Sequence, residues 1–200
     1  YGGWLVHDGW AAYYRFEQAY HQSCLEHLIR RCRERAEIAS PAAAHFPLTV
    51  KSLLQRTLDT RDRYQQQRIS LHGLRTATGL YQARLDRVLA GSYRAQANQR
   101  LAKHLLHERP HLFTFLHCPG LDATNHRAEQ AIRPAVVARK VWGGNRTVNG
   151  ARTQQILMSV FRSYDQQKKD IFPRLVELLG SRQPKILDIL EPPPPPIFDP

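Results

Sequence analysis

Cysteine is scarce, acidic side chains are outnumbered, and no long apolar run occurs in the 200 residues. The three cysteines, Cys24, Cys32 and Cys118, cannot all pair within one chain, which excludes a disulfide-stapled secreted scaffold and points to a reducing interior. No stretch approaches the roughly 20 apolar residues of a membrane helix, so a chain that spans a membrane is excluded. Tyr1-Gly2-Gly3-Trp4 has no initiator Met and none of the basic or apolar segments of a leader peptide. The expectation is therefore a chain that starts in mid-protein. There is also no Gly-rich phosphate loop, no nucleophile elbow and no Cys-x-x-Cys pair, which removes support for ordinary nucleotide binding and serine hydrolysis.

What is present is positive charge: 29 Lys and Arg against 17 Asp and Glu, a net +12. That excess makes a polyanion, an acidic protein or a membrane surface the candidate partner classes. Hydrophobic residues at 42% are enough for a packed core and exclude wholesale disorder.

Gly3 to Asp8 reads as a short buried strand that delivers Asp8 to its carboxyl end, before Gly9. Ala12, Tyr13 and Phe16 have helical spacing, and Tyr20 to Ser23 reads as a second short strand. Over Cys24 to Ile38, Leu25, Leu28, Ile29 and Cys32 form one apolar stripe, opposite a basic face of Arg30, Arg31, Arg33 and Arg35. Pro41 and Pro47 predict a break from Ser40 to Phe46. Leu48 to Phe115 is predicted helical. Leu53, Leu54 and Leu58 start one helix that Tyr64 to Leu74 continues or follows. Leu80, Leu85, Val88 and Leu89 form another, and Leu101, Leu105 and Leu106 a third.

Cys118-Pro119-Gly120 reads as a turn. Asp122 or Thr124 is placed to cap a helix from Asn125 toward Arg133, interrupted or kinked at Pro134, with Ala128, Ala131 and Ile132 facing a core. Val136 to Trp142 leads to a Gly143-Gly144-Asn145 turn. Amphipathic helices follow over Ala151 to Tyr164 and Ile171 to Leu179. Pro192 to Pro196 ends the chain in an extended, solvated run. No internal repeat is present.

Three constellations could carry chemistry. Asp8 before Gly9 is either a turn-initiating residue or a hard oxygen ligand for Mg2+. Asn125, Glu129 and Arg133 are four residues apart and line one helix face, so Glu129 is either a metal ligand beside phosphate-holding cations or an ordinary exposed charge. Arg133, Arg139, Lys140, Arg146 and Arg152, interrupted by Trp142, form a basic stretch suited to phosphate contact and base stacking. Cys24 and His27 form a Cys-x-x-His pair, but a structural zinc site needs four ligands. Cys118 with His117, or Cys32, could contribute after folding. A packed cysteine and a hydrogen-bonded histidine are expected there instead of zinc.

The order of these pieces resembles the catalytic region of the IS66 family of bacterial transposases, within the DDE (RNase H-like) superfamily. The matching segments are Gly3-Trp4-Leu5-Val6-His7-Asp8-Gly9-Trp10-Ala11-Ala12-Tyr13 and Cys24-Leu25-Glu26-His27-Leu28-Ile29-Arg30-Arg31. Asn125-His126-Arg127-Ala128-Glu129-Gln130-Ala131-Ile132-Arg133-Pro134 follows, then Arg139-Lys140-Val141-Trp142 and Gly150-Ala151. Leu25, His126 and Gln130 depart from the family's usual residues at their positions.

The resemblance implies an α/β, mostly helical chain: a partial RNase H-like core with a large helical insertion. Its parts would be core strands and helix at 1–23, the insertion at 24–116, the glutamate helix and C-terminal helices at 117–180, and a Pro-rich tail at 181–200. It implies that Asp8 and Glu129 are the second and third metal-binding carboxylates of a catalytic triad, with the first aspartate upstream. Cys24, His27 and Asn125 belong to its structural motifs, and Arg133, Arg139, Lys140 and Arg146 to DNA contact. It further implies Mg2+ or Mn2+ as cofactor, cleavage and strand transfer of transposon-end and target DNA, possible homo-oligomers, and a bacterial cytoplasmic, nucleoid-associated location. The competing readings are a non-catalytic, basic nucleic-acid-binding remnant of a transposon and a metal-binding structural domain around Cys24 and His27.

Overall fold

A computed structural model of the chain describes residues 1–183. The chain divides into two compact units, Tyr1–Glu129 and the residues from Gln130 onward. The expected Pro192 to Pro196 run lies outside the described residues.

The first unit opens with β1 (Trp4–His7), a 3₁₀ turn (Ala11–Arg15) and β2 (Tyr20–Ser23). The strands pair in parallel, from Trp4 opposite Tyr20 to His7 opposite Ser23. Parallel neighbours need a crossover of about a dozen residues, and residues 8–19 provide it. Gln22 is fully buried and replaces a further strand on β2 with side-chain bonds. Its amide donates to Ser23 O (2.7 Å) and Leu112 O (3.3 Å) and accepts from Phe115 N–H (2.8 Å).

Helix α1 (Leu25–Glu37) buries the predicted stripe of Leu25, Leu28, Ile29 and Cys32. Burial pushes the Cys32 thiol up to about 12, so it behaves as a small hydrophobe. The stripe packs on α2 (Pro41–Gln65), α3 (Leu71–Leu89) and α4 (Gln96–Glu108), through Val50, Leu54, Leu85 and Leu105 among others. Each such fully buried aliphatic chain contributes about 1.5–3 kcal/mol. A 3₁₀ turn (Arg109–His111), the short α5 (Thr114–His117) and the Cys118–Gly120 turn complete this unit before the start of α6 (His126–Trp142).

Several expectations are corrected. The break predicted at Ser40 to Phe46 is the first part of α2. Pro41 takes a first-turn position, where a missing N–H costs nothing. Pro47 lies inside the helix and has no N–H to give to Ala43 O. The buried Asn98 of α4 supplies that donor instead, at 2.8 Å. Of the two readings of Tyr64 to Leu74, a following helix is the one observed: α2 ends at Gln65, Gln67 adopts φ +57°, and Ser70 caps α3 by accepting from Gly73 N–H at 3.1 Å. Leu80 and Leu106, read as apolar-face residues, are exposed.

The Asn98 contact makes a specific thermodynamic prediction. Asn98→Ala should cost about 1–3 kcal/mol in the wild-type chain, where Ala43 O loses its donor. In a Pro47→Ala background, the restored backbone N–H should remove most of that penalty. Urea titration of the four-member cycle measures the coupling, and equal costs in both backgrounds would disprove the link.

In the second unit, α6 runs through Pro134 without stopping, and Val136 to Trp142 is its last part. Gly143 and Gly144, both at positive φ, turn the chain toward α7 (Val148–Gln166), which Thr147 caps. Helix α8 (Phe172–Gly180) follows. Ala128, Ala131 and Ile132, expected to face a core, are exposed, as are Ile156, Leu157 and Phe161 of α7.

Candidate active site

β1 ends at His7 and delivers Asp8 to the carboxyl edge of the strand pair, as predicted. Asp8 Oδ1 accepts from Trp10 N–H at 3.0 Å, so the turn-initiating role is present, and its carboxylate remains exposed. Gly9 is favoured by its backbone conformation and by a close approach. Its φ is +87°, and a Cβ there would lie 3.2 Å from Glu108 Oε1 and 3.5 Å from His104 Cε1.

The tautomers below this turn are set by one backbone donor. Gly9 N–H donates to His7 Nδ1 (3.1 Å), which leaves His7 Nε2 as the protonated nitrogen facing His21 Nδ1 at 3.0 Å. His21 Nε2–H then donates to Phe16 O at 3.2 Å. Burial first, then the neighbouring His21, lowers the His7 pKa and favours the neutral His7 ring.

Glu108 lies beside the relay and is 1% exposed. It accepts from Tyr14 Oη at 2.6 Å, Ser23 Oγ at 2.8 Å and His107 Nδ1 at 3.2 Å. Burial pushes its carboxyl up, but these donors outweigh burial and hold it below its ordinary value. The same burial and the Glu108 bond push the Tyr14 phenol far upward. Motif reasoning misses Glu108. The available signal is its spacing: Leu101, Leu105 and Glu108 share one stripe of α4, which puts a carboxylate at a core position.

Segment Cys24–His27 joins this edge to the glutamate helix. Cys24 N–H donates to His7 O at 2.7 Å, and Leu25 N–H to Ala123 O at 2.9 Å. His27 Nδ1 lies 3.1 Å from Cys24 Sγ, and His27 Nε2 lies 3.2 Å from Glu129 Oε1. The buried cysteine and hydrogen-bonded histidine expected at this pair are therefore observed. The residue beside Asp8 and the Glu129 carboxylate are thus bonded to one four-residue segment.

The predicted caps do not act: Asp122 pairs with Arg127 at 3.2 Å, and Asn125 precedes the helix. Asn125 O accepts from Glu129 N–H at 3.0 Å, while Asn125 Oδ1 is buried without a partner. Exposed Asp8 and Glu129 carboxylates and the unpartnered Asn125 Oδ1 are all oxygen donors, the type a hard divalent cation takes. Among the described residues, no three His, Cys, Asp or Glu side chains converge closely enough to hold a metal. The donor chemistry fits Mg2+, and the set stops at two carboxylates.

Arg133, Arg139, Lys140 and Arg146 belong to the second unit. All four are exposed, and none has an ion-pair partner among the described residues. Trp142 is also exposed. No helix among the described residues is long and apolar enough to cross a membrane.

These features define a mostly helical protein with carboxylates at the carboxyl edge of a small parallel strand pair. A family model described as Transposase IS66 family matches residues 1–153, and the chain belongs to that family. No curated protein and no solved structure matches it.

Proposed function

We propose that the chain is part of the catalytic region of a DDE transposase and that its partner is DNA. Asp8 and Glu129 are the two carboxylates it contributes. In this reading residues 1–23 belong to an RNase H-like core, 24–116 are a helical insertion, and 117–180 carry the glutamate helix and the helices after it. The observation that carries the proposal is the bonding of both carboxylate-bearing segments to Cys24–His27.

Mg2+ or Mn2+, when bound, supplies charge neutralisation at the phosphate and a more acidic water. The chain's own residues prepare for it. The Asp8 turn holds one carboxylate oxygen on Trp10 N–H and leaves the carboxylate facing solvent. His27 fixes the orientation of Glu129, and Cys24 in turn fixes His27. A third carboxylate is needed, and the family resemblance assigns it to an earlier strand.

A second reading, the non-catalytic nucleic-acid-binding remnant, draws on the unpaired cations of α6 and the turn after it. Mn2+ titration followed by amide relaxation separates the two. The enzyme reading expects weak binding, with Asp8–Trp10 and Asn125–Glu129 broadening first. Broadening that is uniform over the surface would reject it.

A further inference from the structure

The arginines of α1 are not equivalent. Arg30 pairs with Glu34 (3.9 Å) and Arg33 with Glu37 (3.7 Å), one turn on in each case. These pairs use both acidic residues of the helix's second half. Arg31 and Arg35 have no ion-pair partner among the described residues. They line a cavity of about 310 Å3 with Ala97, Arg100, Leu101 and His104 of α4. Arg100 has no partner among the described residues either. His104 Nε2 is buried with no hydrogen-bond partner.

Three guanidinium groups in one groove repel each other, and the four-residue spacing of Arg31 and Arg35 is itself unfavourable for like charges. An unpartnered buried ring nitrogen adds a further cost. An oxyanion relieves both: guanidinium groups bind phosphate oxygens in a fork, and a ring N–H donates to the same group.

We propose that the groove between α1 and α4, lined by Arg31, Arg35, Arg100 and His104, binds a phosphate group, and that this phosphate belongs to a DNA backbone. The backbone assignment rests on the DNA reading above. It draws further support from placement. His27, Arg31 and Arg35 are successive four-residue steps along one face of α1, each about 6 Å further on. His27 contacts Glu129, and His104 Cε1 lies against the Gly9 position that follows Asp8. A strand passing the two carboxylates meets the groove next.

The test uses the full chain, with inorganic phosphate and a 20-base-pair duplex as separate probes. The readouts are the His104 ring resonance and the salt dependence of duplex affinity. Both probes should shift the His104 resonance. R31Q/R35Q/R100Q should abolish the shift with both probes. The log–log salt slope for the duplex should become shallower by about 0.9, the change for the one phosphate no longer neutralised. R100Q alone, which leaves α1 intact, should give a smaller change of the same sign.

Unchanged slopes with the duplex still bound would overturn the groove and leave the DNA reading standing. A His104 shift with phosphate but not with the duplex would overturn the backbone assignment. No shift with either probe would overturn the site altogether. If the duplex does not bind at all, the DNA reading fails, and the phosphate arm still decides whether the groove takes an oxyanion.

Discussion

Glu129→Gln, placed in the complete transposase, should reduce Mg2+-dependent cutting of transposon-end DNA by on the order of 10³-fold, about 4 kcal/mol of transition-state stabilisation. The amide keeps the shape of the side chain and can still face His27 Nε2, so fold and duplex affinity should hold. What disappears is the negative charge that a hard cation requires. Asp8→Asn should act in the same way, since the amide oxygen can still accept from Trp10 N–H. His27→Ala provides the graded comparison. It removes the group that orients Glu129 and leaves the carboxylate, so a 10–100-fold loss is expected, eased by higher metal concentration. The measurement is nicking rate against Mg2+ concentration for the four proteins. Wild-type rates for Glu129→Gln would end the assignment of this carboxylate.

Glu108→Ala should destabilise the first unit by about 3 kcal/mol or more, because it strips the buried Ser23 hydroxyl, the half-buried Tyr14 hydroxyl and a histidine of a charged acceptor. Tyr14, Ser23 and His107 would all lose their partner, and Ser23 belongs to β2. Glu108→Gln keeps the volume but presents an NH2 to one hydroxyl, so it should recover only part of the loss. The same residues give the unit a signed pH dependence. Burial lowers the pKa of His104, with Arg31 adding to it, and lowers that of His111, with His21 adding to it. The unfolded chain therefore takes up protons at these histidines near pH 6.5 while the folded chain does not, and stability falls as pH drops below that value. Glu108 is depressed below its ordinary 4.5, so its contribution is present above that pH and is lost as pH falls through its folded value. Thermal unfolding between pH 7.5 and pH 4 should show the melting temperature declining in the histidine range. A flat profile there would contradict the buried neutral rings.

The local pattern of the chain makes part of this legible. The two strands, the α1 stripe and the Asp8 turn each follow from neighbours within a few positions, where period and turn chemistry operate. Glu129 and Cys24-x-x-His27 are visible as motif residues, but their bond to each other joins segments about a hundred positions apart, and no periodicity encodes that. Pro47 misleads because a proline in sequence signals only what it breaks locally. Asn98, the residue that repairs the break, lies 55 positions away. The apolar faces of α6 and α7 read as core positions because spacing reports amphipathicity and not what covers it. Arg31 and Arg35 look like part of a uniform basic face until the Glu34 and Glu37 pairings separate them from Arg30 and Arg33.

The proline in α2 also bears on the order of assembly. Upstream of Pro47 lie residues 41–46 of the helix, and the Ala43 carbonyl among them stays open until Asn98 arrives. Because α4 follows α2 in the chain, this one bond of the N-terminal part of α2 forms only when α4 docks. A contact spanning 55 residues thus becomes a checkpoint: the long helix is finished late, by tertiary structure, although most of its hydrogen bonds are local.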